Sequence, residues 1–140
     1  MLINEDIKLD YSDVLIRPKR STMSSRGEVR LKRSHRFLWS KKKWTGIPIM
    51  SANMDTIGTP AMHKVLSGYK LITCPAKHNL KNNSNDFKRG QSNICWFGGI
   101  DDISKLSKAN SGFIGLDVAN GYTIKFVDSV KKLRDRCPDA

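Results

Sequence analysis

Two charged residues stand where apolar, strand-like runs of the sequence end, and both could take part in chemistry. Asp117 lies within the apolar run 113–118, and a carboxylate in such a run must either be paired or face an open mouth. Lys77 follows the run 71–74, where its ammonium could meet a phosphate or ribose group or assist proton transfer. A single lysine is more often a solvated surface residue, so its type alone does not decide its role.

The three cysteines do not form a pattern that predicts a metal site or a disulfide framework. Their number is odd, and no two of Cys74, Cys95 and Cys137 are spaced as Cys-x-x-Cys. Cys74 and Cys95 lie in apolar runs, where a small buried core residue is the ordinary expectation. We therefore predict no metal ligands in this chain.

Apolar runs that alternate with helical patterns predict four strand–helix units. The predicted strands are 47–51, 71–74, 94–97 and 113–118. Continuous apolar strands that alternate with helices are typical of a parallel sheet covered by helices. The pattern divides the chain into a segment 1–45, irregular or with short strands, and the four units in 46–140. Four units fit a small open α/β domain or half of a (β/α)8 barrel, because a whole barrel needs about 250 residues.

The helices of the first two units are predicted with different clarity. Thr59 followed by Pro60 indicates a capped helix start, and Gly68 indicates its end. The second helix should lie in the polar stretch 77–90, which has only weak helical character.

The last two helices are predicted from capping residues and from apolar spacing. Asp101 or Asp102 is expected to cap the third helix, and Thr123 the fourth. The third helix should bury one face, made of Ile103, Leu106 and Ala109. The apolar face of the fourth helix should be Ile124, Val127, Val130 and Leu133.

The formal net charge is +12, and the positive excess is concentrated in the first third of the chain. Such a concentration could bind nucleic acid, but it could equally be a solvated surface or one that meets phosphate-bearing small molecules. No RNA-recognition motif, zinc finger or basic heptad helix accompanies the charge. Nucleic-acid binding is therefore kept only as an alternative.

A membrane partner is not expected, because no apolar run approaches the roughly 20 residues that cross a bilayer. Apolar residues make up 39% of the chain, which suits a folded globular domain. Residues 1–10 are acidic and lack the basic start and apolar stretch of a signal peptide. We expect a cytoplasmic protein.

Four ordered motifs resemble those of GMP reductases. The first is LDYSDVLIRPKRST at 9–22 with SSRGEV at 24–29, and the second is WTGIPIMSANMDT at 44–56. The third is AKH at 76–78, and the fourth is LDVANGY at 116–122. IMP dehydrogenase is a homologous barrel with the same early layout, but it usually carries a regulatory insertion after the second strand, where this chain has a short linker. The residues 17–20, Asn53 and 117–122 also favour the reductase.

The resemblance implies the N-terminal half of a (β/α)8 TIM barrel and an NADPH-dependent conversion of GMP to IMP and ammonia. In that family a cysteine attacks carbon 2 of the purine, and hydride then arrives from the nicotinamide. The family's cysteine lies in a Gly-rich loop that this chain lacks, so we assign no catalytic cysteine. The nucleotide-phosphate loops and a monovalent cation such as K⁺ are expected only in the other half.

The resemblance also assigns roles to individual residues. Lys77 and Asp117 are expected to lie near each other as the catalytic pair. The expected cofactor-binding residues are Ser25, Arg26, Lys77, Asp117, Val118 and Ala119, of which Ser25 and Arg26 would reach NADPH from a neighbouring subunit. The expected residues around the nucleotide base are Ser51, Asn53 and Met54. Plain core packing is the alternative for Met54, and an ordinary surface arginine is the alternative for Arg26.

The chain also departs from the family pattern. Ala76 stands where the family usually has histidine, and the run 95–99 replaces a more polar strand end. Open strand edges predict either a complementary C-terminal half-barrel chain or a homo-oligomer. A non-catalytic nucleotide-binding half barrel and an IMP dehydrogenase-like oxidoreductase remain the other interpretations.

Overall fold

The computed structural model describes residues 5–81, 87, 91–109 and 111–140. The chain separates into two compact units, Met1–Arg30 and Leu31–Ala140. The sequence pattern, in contrast, changes near residue 45. The two boundaries differ because a hairpin between residues 33 and 46 belongs to the second compact unit but precedes the first strand–helix unit. The division into 1–45 and 46–140 stays a prediction.

The first unit contains two short 3-10 helices, Tyr11–Asp13 and Arg26–Glu28. Each begins with a capping box, in which the side chains at the two ends of the turn accept hydrogen bonds from backbone N–H groups. Asp10 caps the first helix and Ser25 caps the second. Local side-chain hydrogen bonds therefore define both turns.

The second unit opens with an antiparallel hairpin of β1 (Arg33–Arg36) and β2 (Lys43–Gly46). The hydroxyls of Ser34 and Thr45 lie 2.8 Å apart across the strands. Gly46 is required at the end of β2, because a Cβ there would lie 2.4 Å from the carbonyl oxygen of Lys70.

Parallel pairing follows the order of the four predicted strands. The first two predicted strands, 47–51 and 71–74, are reduced to isolated bridges: Met50 pairs with Ile72, and Thr73 pairs with Ile94. Of the four predicted strands, the last two are regular strands in the described residues: β3 (Cys95–Gly98) and β4 (Phe113–Leu116), which pair in parallel. The described residues thus form a mixed α/β structure with short strands and no closed barrel.

Two prolines explain why the first two predicted strands are so short. Pro48 has no backbone N–H, and the following N–H, of Ile49, donates to Ile47 at 2.7 Å instead of joining a ladder. Pro75 likewise removes a donor directly after the second strand. The run 47–51 is also not a buried strand, because Ile49 and Met50 are 57% and 48% exposed. An apolar run thus predicts neither a continuous ladder nor, at these two residues, burial.

Helices α1 (Pro60–Gly68) and α2 (Lys77–Lys81) follow the first two strand positions. The predicted cap of α1 is confirmed, because Thr59 Oγ1 accepts a hydrogen bond of 3.2 Å from the N–H of Met62. Of the weakly helical stretch 77–90, only α2 and the buried Phe87 are described. Residues 82–86 and 88–90 lie outside the described residues.

Helix α3 (Ile103–Lys108) follows a 3-10 turn, Ile100–Asp102. Asp102 occupies the N-cap position of α3, as one of the two predicted residues, but its carboxylate accepts from the N–H of Gly99 and makes no capping hydrogen bond to α3. Asp102 is the last residue of the 3-10 turn, and its side chain is used to hydrogen-bond the residue that precedes that turn. The predicted buried face is confirmed by Ile103, Leu106 and Ala109.

Helix α4 (Ile124–Arg136) begins at its predicted cap, since Thr123 Oγ1 accepts from the N–H of Phe126 at 3.2 Å. The helix carries the predicted apolar face, but three of its four residues are exposed: Ile124, Val127 and Val130. The helix contacts α3 and buries Ser129 and Leu133 instead. The spacing of apolar residues predicts an apolar stripe on α4, but which residues of the helix are buried depends on its contact with α3.

Two apolar clusters form the core of the second unit. The larger joins the helices to β3 and consists of Leu80, Phe87, Ile94, Trp96, Ile103, Leu106, Ala109 and Leu133. The smaller consists of Ile72, Cys74 and Cys95. The expectation that Cys74 and Cys95 are core residues is confirmed.

Candidate functional site

Three polar side chains meet where the parallel strand positions end. Asp117 directly follows β4, Lys77 begins α2 after the second strand position, and Asn53 follows the bridge residue Met50. The carboxyl ends of parallel strands lie at one edge of a sheet, which is where α/β proteins place their ligand-binding loops. The topology therefore brings together residues that are far apart in sequence.

The carboxylate of Asp117 is the centre of this group. Lys77 Nζ lies 2.8 Å from Asp117 Oδ2, and Asn53 Nδ2 donates to the same oxygen at 3.3 Å. The hydrogen bond from Lys77, followed by the one from Asn53, lowers the pKa of Asp117 below its usual value. The side chains of Lys77 and Asp117 are each 45% exposed, so this is a charged pair that a ligand can reach.

Both of these contacts use Oδ2 of Asp117. Within the described part of the chain, Oδ1 has no hydrogen-bond partner. A half-exposed carboxylate with one oxygen held in place and the other open can accept an N–H or O–H from a ligand. The expected proximity of Lys77 and Asp117 is thus present in the structure, whereas their catalytic and cofactor roles stay predictions.

A second pair lies beside the first and was not singled out by the sequence analysis. His78 Nδ1 is 3.2 Å from Asp55 Oδ1. A carboxylate can only accept, so Nδ1 carries the hydrogen in this contact. Both residues belong to the motifs at 44–56 and 76–78, but only their placement by the fold shows that they meet.

Ser51 and Met54 differ in what the structure shows of them. Ser51 Oγ accepts from the N–H of Cys74 at 3.0 Å, so its hydroxyl joins two strand positions. Met54 is 58% exposed, so core packing does not account for it among the described residues. Their expected contact with the nucleotide base stays a prediction.

Val118 and Ala119 continue the loop that begins at Asp117. Val118 is half-buried and Ala119 is exposed. The loop is shaped locally, because Asn120 Oδ1 accepts from the N–H of Tyr122 at 2.9 Å. Val118 and Ala119 lie next to the charged pair because they directly follow Asp117 in the sequence.

Ser25 and Arg26 belong to the first unit. Ser25 Oγ accepts from the N–H of Gly27 at 3.2 Å, as the cap of the turn that begins at Arg26. Glu28 closes this turn, and the hydroxyl of Ser24 lowers the pKa of its carboxyl. The expected contact of Ser25 and Arg26 with a cofactor stays a prediction.

Two of the three cysteines are too buried to act as nucleophiles. Cys74 and Cys95 are 1% and 5% exposed, and the hydrogen bond to Cys74, together with burial, raises the pKa of the Cys95 thiol. Cys137 is half-buried just past the end of α4. A reactive cysteine is partly exposed, and Cys74 and Cys95 are too buried to meet that condition.

The described residues contain neither a metal-binding cluster nor a membrane-spanning helix. No group of three or more His, Cys, Asp or Glu side chains in the described ranges could hold a metal ion. No helix formed by these residues is long and apolar enough to cross a membrane.

Nearly the whole chain is similar to known proteins named GMP reductase. It is 41% identical over 152 residues to GMP reductase of Edwardsiella ictaluri, which covers 99% of this chain and 43% of that protein. It is 43% identical over 149 residues to GMP reductase 2 of Bos taurus, covering 98% and 42%. The chain is homologous to part of the GMP reductases. The resemblance seen in the four motifs is thereby confirmed.

GMP reductase 2 of Homo sapiens is similar to the same degree, at 43% identity over 148 residues, with 97% of this chain and 42% of that protein covered. The chain therefore spans less than half the length of the GMP reductases it matches. No family model matches the chain.

Proposed function

We propose that this chain contributes the Lys77–Asp117 part of an NADPH-dependent GMP reductase site, which converts GMP to IMP and ammonia. The observation that carries the proposal is the contact of 2.8 Å between Lys77 Nζ and Asp117 Oδ2, with Asn53 on the same oxygen. These residues come from three of the motifs that resemble GMP reductases. The homologues' names support the same reaction.

The side chains present suit a nicotinamide nucleotide. Lys77 offers an ammonium to a phosphate or ribose oxygen, and Oδ1 of Asp117 offers an acceptor to a ligand hydroxyl or amide. When bound, NADPH would supply the hydride that replaces the amino group at carbon 2 of the purine. Val118 and Ala119 would line the same loop, and Ser51, Asn53 and Met54 would lie toward the base.

Within this site Asp117 would act mainly on Lys77. The carboxylate would fix the direction of the ammonium, and Asn53 would keep the carboxylate from turning away. Lys77 could then hold a ligand oxygen or pass a proton to the departing ammonia. Both side chains are half exposed, so bound nucleotide or a further segment would have to exclude water from them.

The nucleophile would come from residues outside this chain, because Cys74 and Cys95 are buried and none of the three cysteines lies in a Gly-rich loop like the one that carries the cysteine of GMP reductases. We propose that the four strand positions are half of a (β/α)8 barrel and that a complementary half-barrel chain, or a second copy of this one, covers their open side. A groove of about 210 Å³ supports this idea. Its apolar lining includes Ile114, Leu116, Phe126, Val130 and Leu133. The monovalent cation would belong to the complementary half.

Ser25 and Arg26 would serve a neighbouring subunit's cofactor. Arg26 suits a phosphate because its planar guanidinium can donate two hydrogen bonds at once. We propose a cytoplasmic location for the assembled enzyme, where its nucleotide substrates and cofactor would be found.

Reconstitution tests this proposal. NADPH oxidation is followed by absorbance with GMP present, for this chain alone and for this chain mixed with the C-terminal half of a GMP reductase. We expect GMP-dependent oxidation in the mixture and none with the chain alone. A mixture that elutes as one folded complex, yet oxidises no NADPH, would refute a catalytic role.

A non-catalytic nucleotide-binding half barrel is the second candidate. The environments of the three cysteines favour it, since the chain offers binding groups but no nucleophile. This candidate predicts that titration calorimetry detects NADPH or GMP binding in the same complex while turnover stays absent. Loss of binding in the Lys77→Ala variant would locate the site.

A further inference from the structure

Side-chain contacts and short stretches of backbone join three loops of the candidate site into a closed ring. Asp117 contacts Asn53 and Lys77, at 3.3 and 2.8 Å. Asp55, two residues after Asn53, contacts His78 at 3.2 Å, and His78 is bonded to Lys77 through the chain. We call Asn53, Asp55, Lys77, His78 and Asp117 the five-residue ring.

The loop that carries Asn53 is held firmly at its far end. The carbonyl of Met54 accepts from the N–H groups of Ile57 and Gly58, at 3.0 and 2.7 Å. The carbonyl of Gly58 accepts from the N–H of Ala76 at 3.2 Å. A Cβ at Gly58 would lie 2.3 Å from the carbonyl oxygen of Cys74, so the loop lies directly against the backbone there.

Before Asn53 the chain is held at Ser51, whose N–H donates to the carbonyl of Ile72 at 3.0 Å and whose Oγ accepts from the N–H of Cys74 at 3.0 Å. The backbone of Asn53 itself makes no hydrogen bond to the described residues.

The hydrogen bonds of Asn53 and Asp55 are made by side chains: Asn53 to Asp117 and Asp55 to His78. An isolated surface ion pair contributes little to stability, because solvent screens it and two side chains lose freedom. Here the contact between Asp55 and His78 has a different consequence, because it restricts the positions that the nearby Asn53 side chain can take relative to Asp117.

We propose that His78 is a positioning residue, which holds Asp55 and thereby fixes Asn53 against Asp117. The geometry of the ring supports this proposal without any bound nucleotide, and only its relevance to catalysis rests on the proposed function. Loss of the His78 contact would leave the Asp55 side chain unheld, and Asn53 would then be fixed only through its own side chain and the backbone anchors at Ser51 and Met54. Asp117 would then lose a hydrogen-bond donor, although Lys77 would remain beside it.

The pKa of Asp117 reports this coupling directly. It can be measured in the full chain by following the side-chain carboxyl carbon by NMR as the pH is lowered. Asn53→Ala sets the scale, because it removes the donor itself and should raise the pKa of Asp117. We expect His78→Ala and Asp55→Ala, each of which removes the contact, to raise it in the same direction, and the double variant to raise it no further than either single variant.

Two further variants separate positioning from general effects on the fold. His78→Gln keeps a side-chain N–H and should retain most of the wild-type pKa of Asp117. Lys131→Ala removes another exposed ion pair, the 3.9 Å contact with Asp128 on α4, and should leave the pKa unchanged. If Asn53→Ala raises the pKa of Asp117 while His78→Ala and Asp55→Ala do not, His78 has no positioning role.

The titration needs no ligand, so its outcome is independent of reductase activity. A pKa of Asp117 that depends on His78, in a chain whose folded complex with the C-terminal half shows no turnover, would support the positioning role and refute the proposed function. Turnover in that complex, with a pKa of Asp117 that does not depend on His78, would support the proposed function and refute the positioning role. Far-UV circular dichroism of each variant, which must match the wild type, establishes that the comparison is made between folded chains.

Discussion

Lys77 Nζ lies 2.8 Å from Asp117 Oδ2, although the two residues belong to different strand–helix units. The pair depends on the parallel order of the strand positions, which places the loop after each strand at the same edge of the sheet. Asn53 reaches the same carboxylate from a third loop. The predictions that follow test this arrangement and the fold that supports it.

The lowered pKa of Asp117 predicts how its contribution to stability depends on pH. The folded-state pKa lies below the unfolded value, so the stabilisation is fully present above the unfolded pKa and is lost as the pH falls through the folded pKa. Asp117→Asn should therefore be less stable than the wild type at pH 7, by less than about 1 kcal/mol because the pair is half exposed. Urea denaturation at a series of pH values measures this difference. A difference that persists below the folded pKa would contradict the account.

Gly58→Ala should destabilise the chain by about 1–3 kcal/mol. The added Cβ would lie 2.3 Å from Cys74 O and 2.6 Å from Ala76 N, and both are backbone atoms that cannot move aside cheaply. The matched control is Gly68→Ala at the end of α1, where a Cβ meets nothing within 4 Å. Urea denaturation of both variants should show a loss for the first and a neutral or small stabilising effect for the second. Equal stabilities would mean that the 54–58 loop does not lie against the second strand position.

The three thiols should react with a thiol reagent at different rates. Cys137 is half-buried, whereas Cys74 and Cys95 are almost fully buried. We expect one fast equivalent of reaction with Ellman's reagent in the native chain and three in denaturant. Cys137→Ser should remove the fast phase. A fast phase that survives this substitution would show that the smaller core cluster is open to solvent.

Leu106→Ala should be among the most damaging single truncations. Its side chain is fully buried in the larger core cluster, and such truncations typically cost about 2–5 kcal/mol. Val127→Ala on α4 is the control, because that side chain is 47% exposed and its truncation should cost much less. Similar losses at both positions would indicate that α4 is covered in solution, by a partner or by a second copy.

The features that the sequence predicted best are set by neighbours along the chain. Thr59 and Thr123 cap their helices as expected, because a capping hydrogen bond spans only three residues. Burial of Cys74, Cys95 and the α3 face also followed from apolar runs. These signals need no knowledge of what lies across the fold.

The features that the sequence did not predict depend on tertiary neighbours. The exposed face of α4 could not be foreseen, because spacing identifies an apolar stripe but not the partner that covers it. The pairing of Asp55 with His78 was missed for a similar reason: each residue lies in a loop, and only the parallel strand order brings the two loops together. The proximity of Lys77 and Asp117 was expected from the family resemblance, not from the residues alone.

The most direct test compares variants in the reconstituted complex. The measured quantity is the rate of GMP-dependent NADPH oxidation by this chain mixed with the C-terminal half of a GMP reductase, for the wild type, Lys77→Ala and Asp117→Ala. If the pair orients a ligand and handles a proton, each variant should lose about 10²–10⁴-fold in rate while the complex still forms. Wild-type rates in both variants would contradict the account, because the contact between Lys77 and Asp117 would then have no part in the reaction.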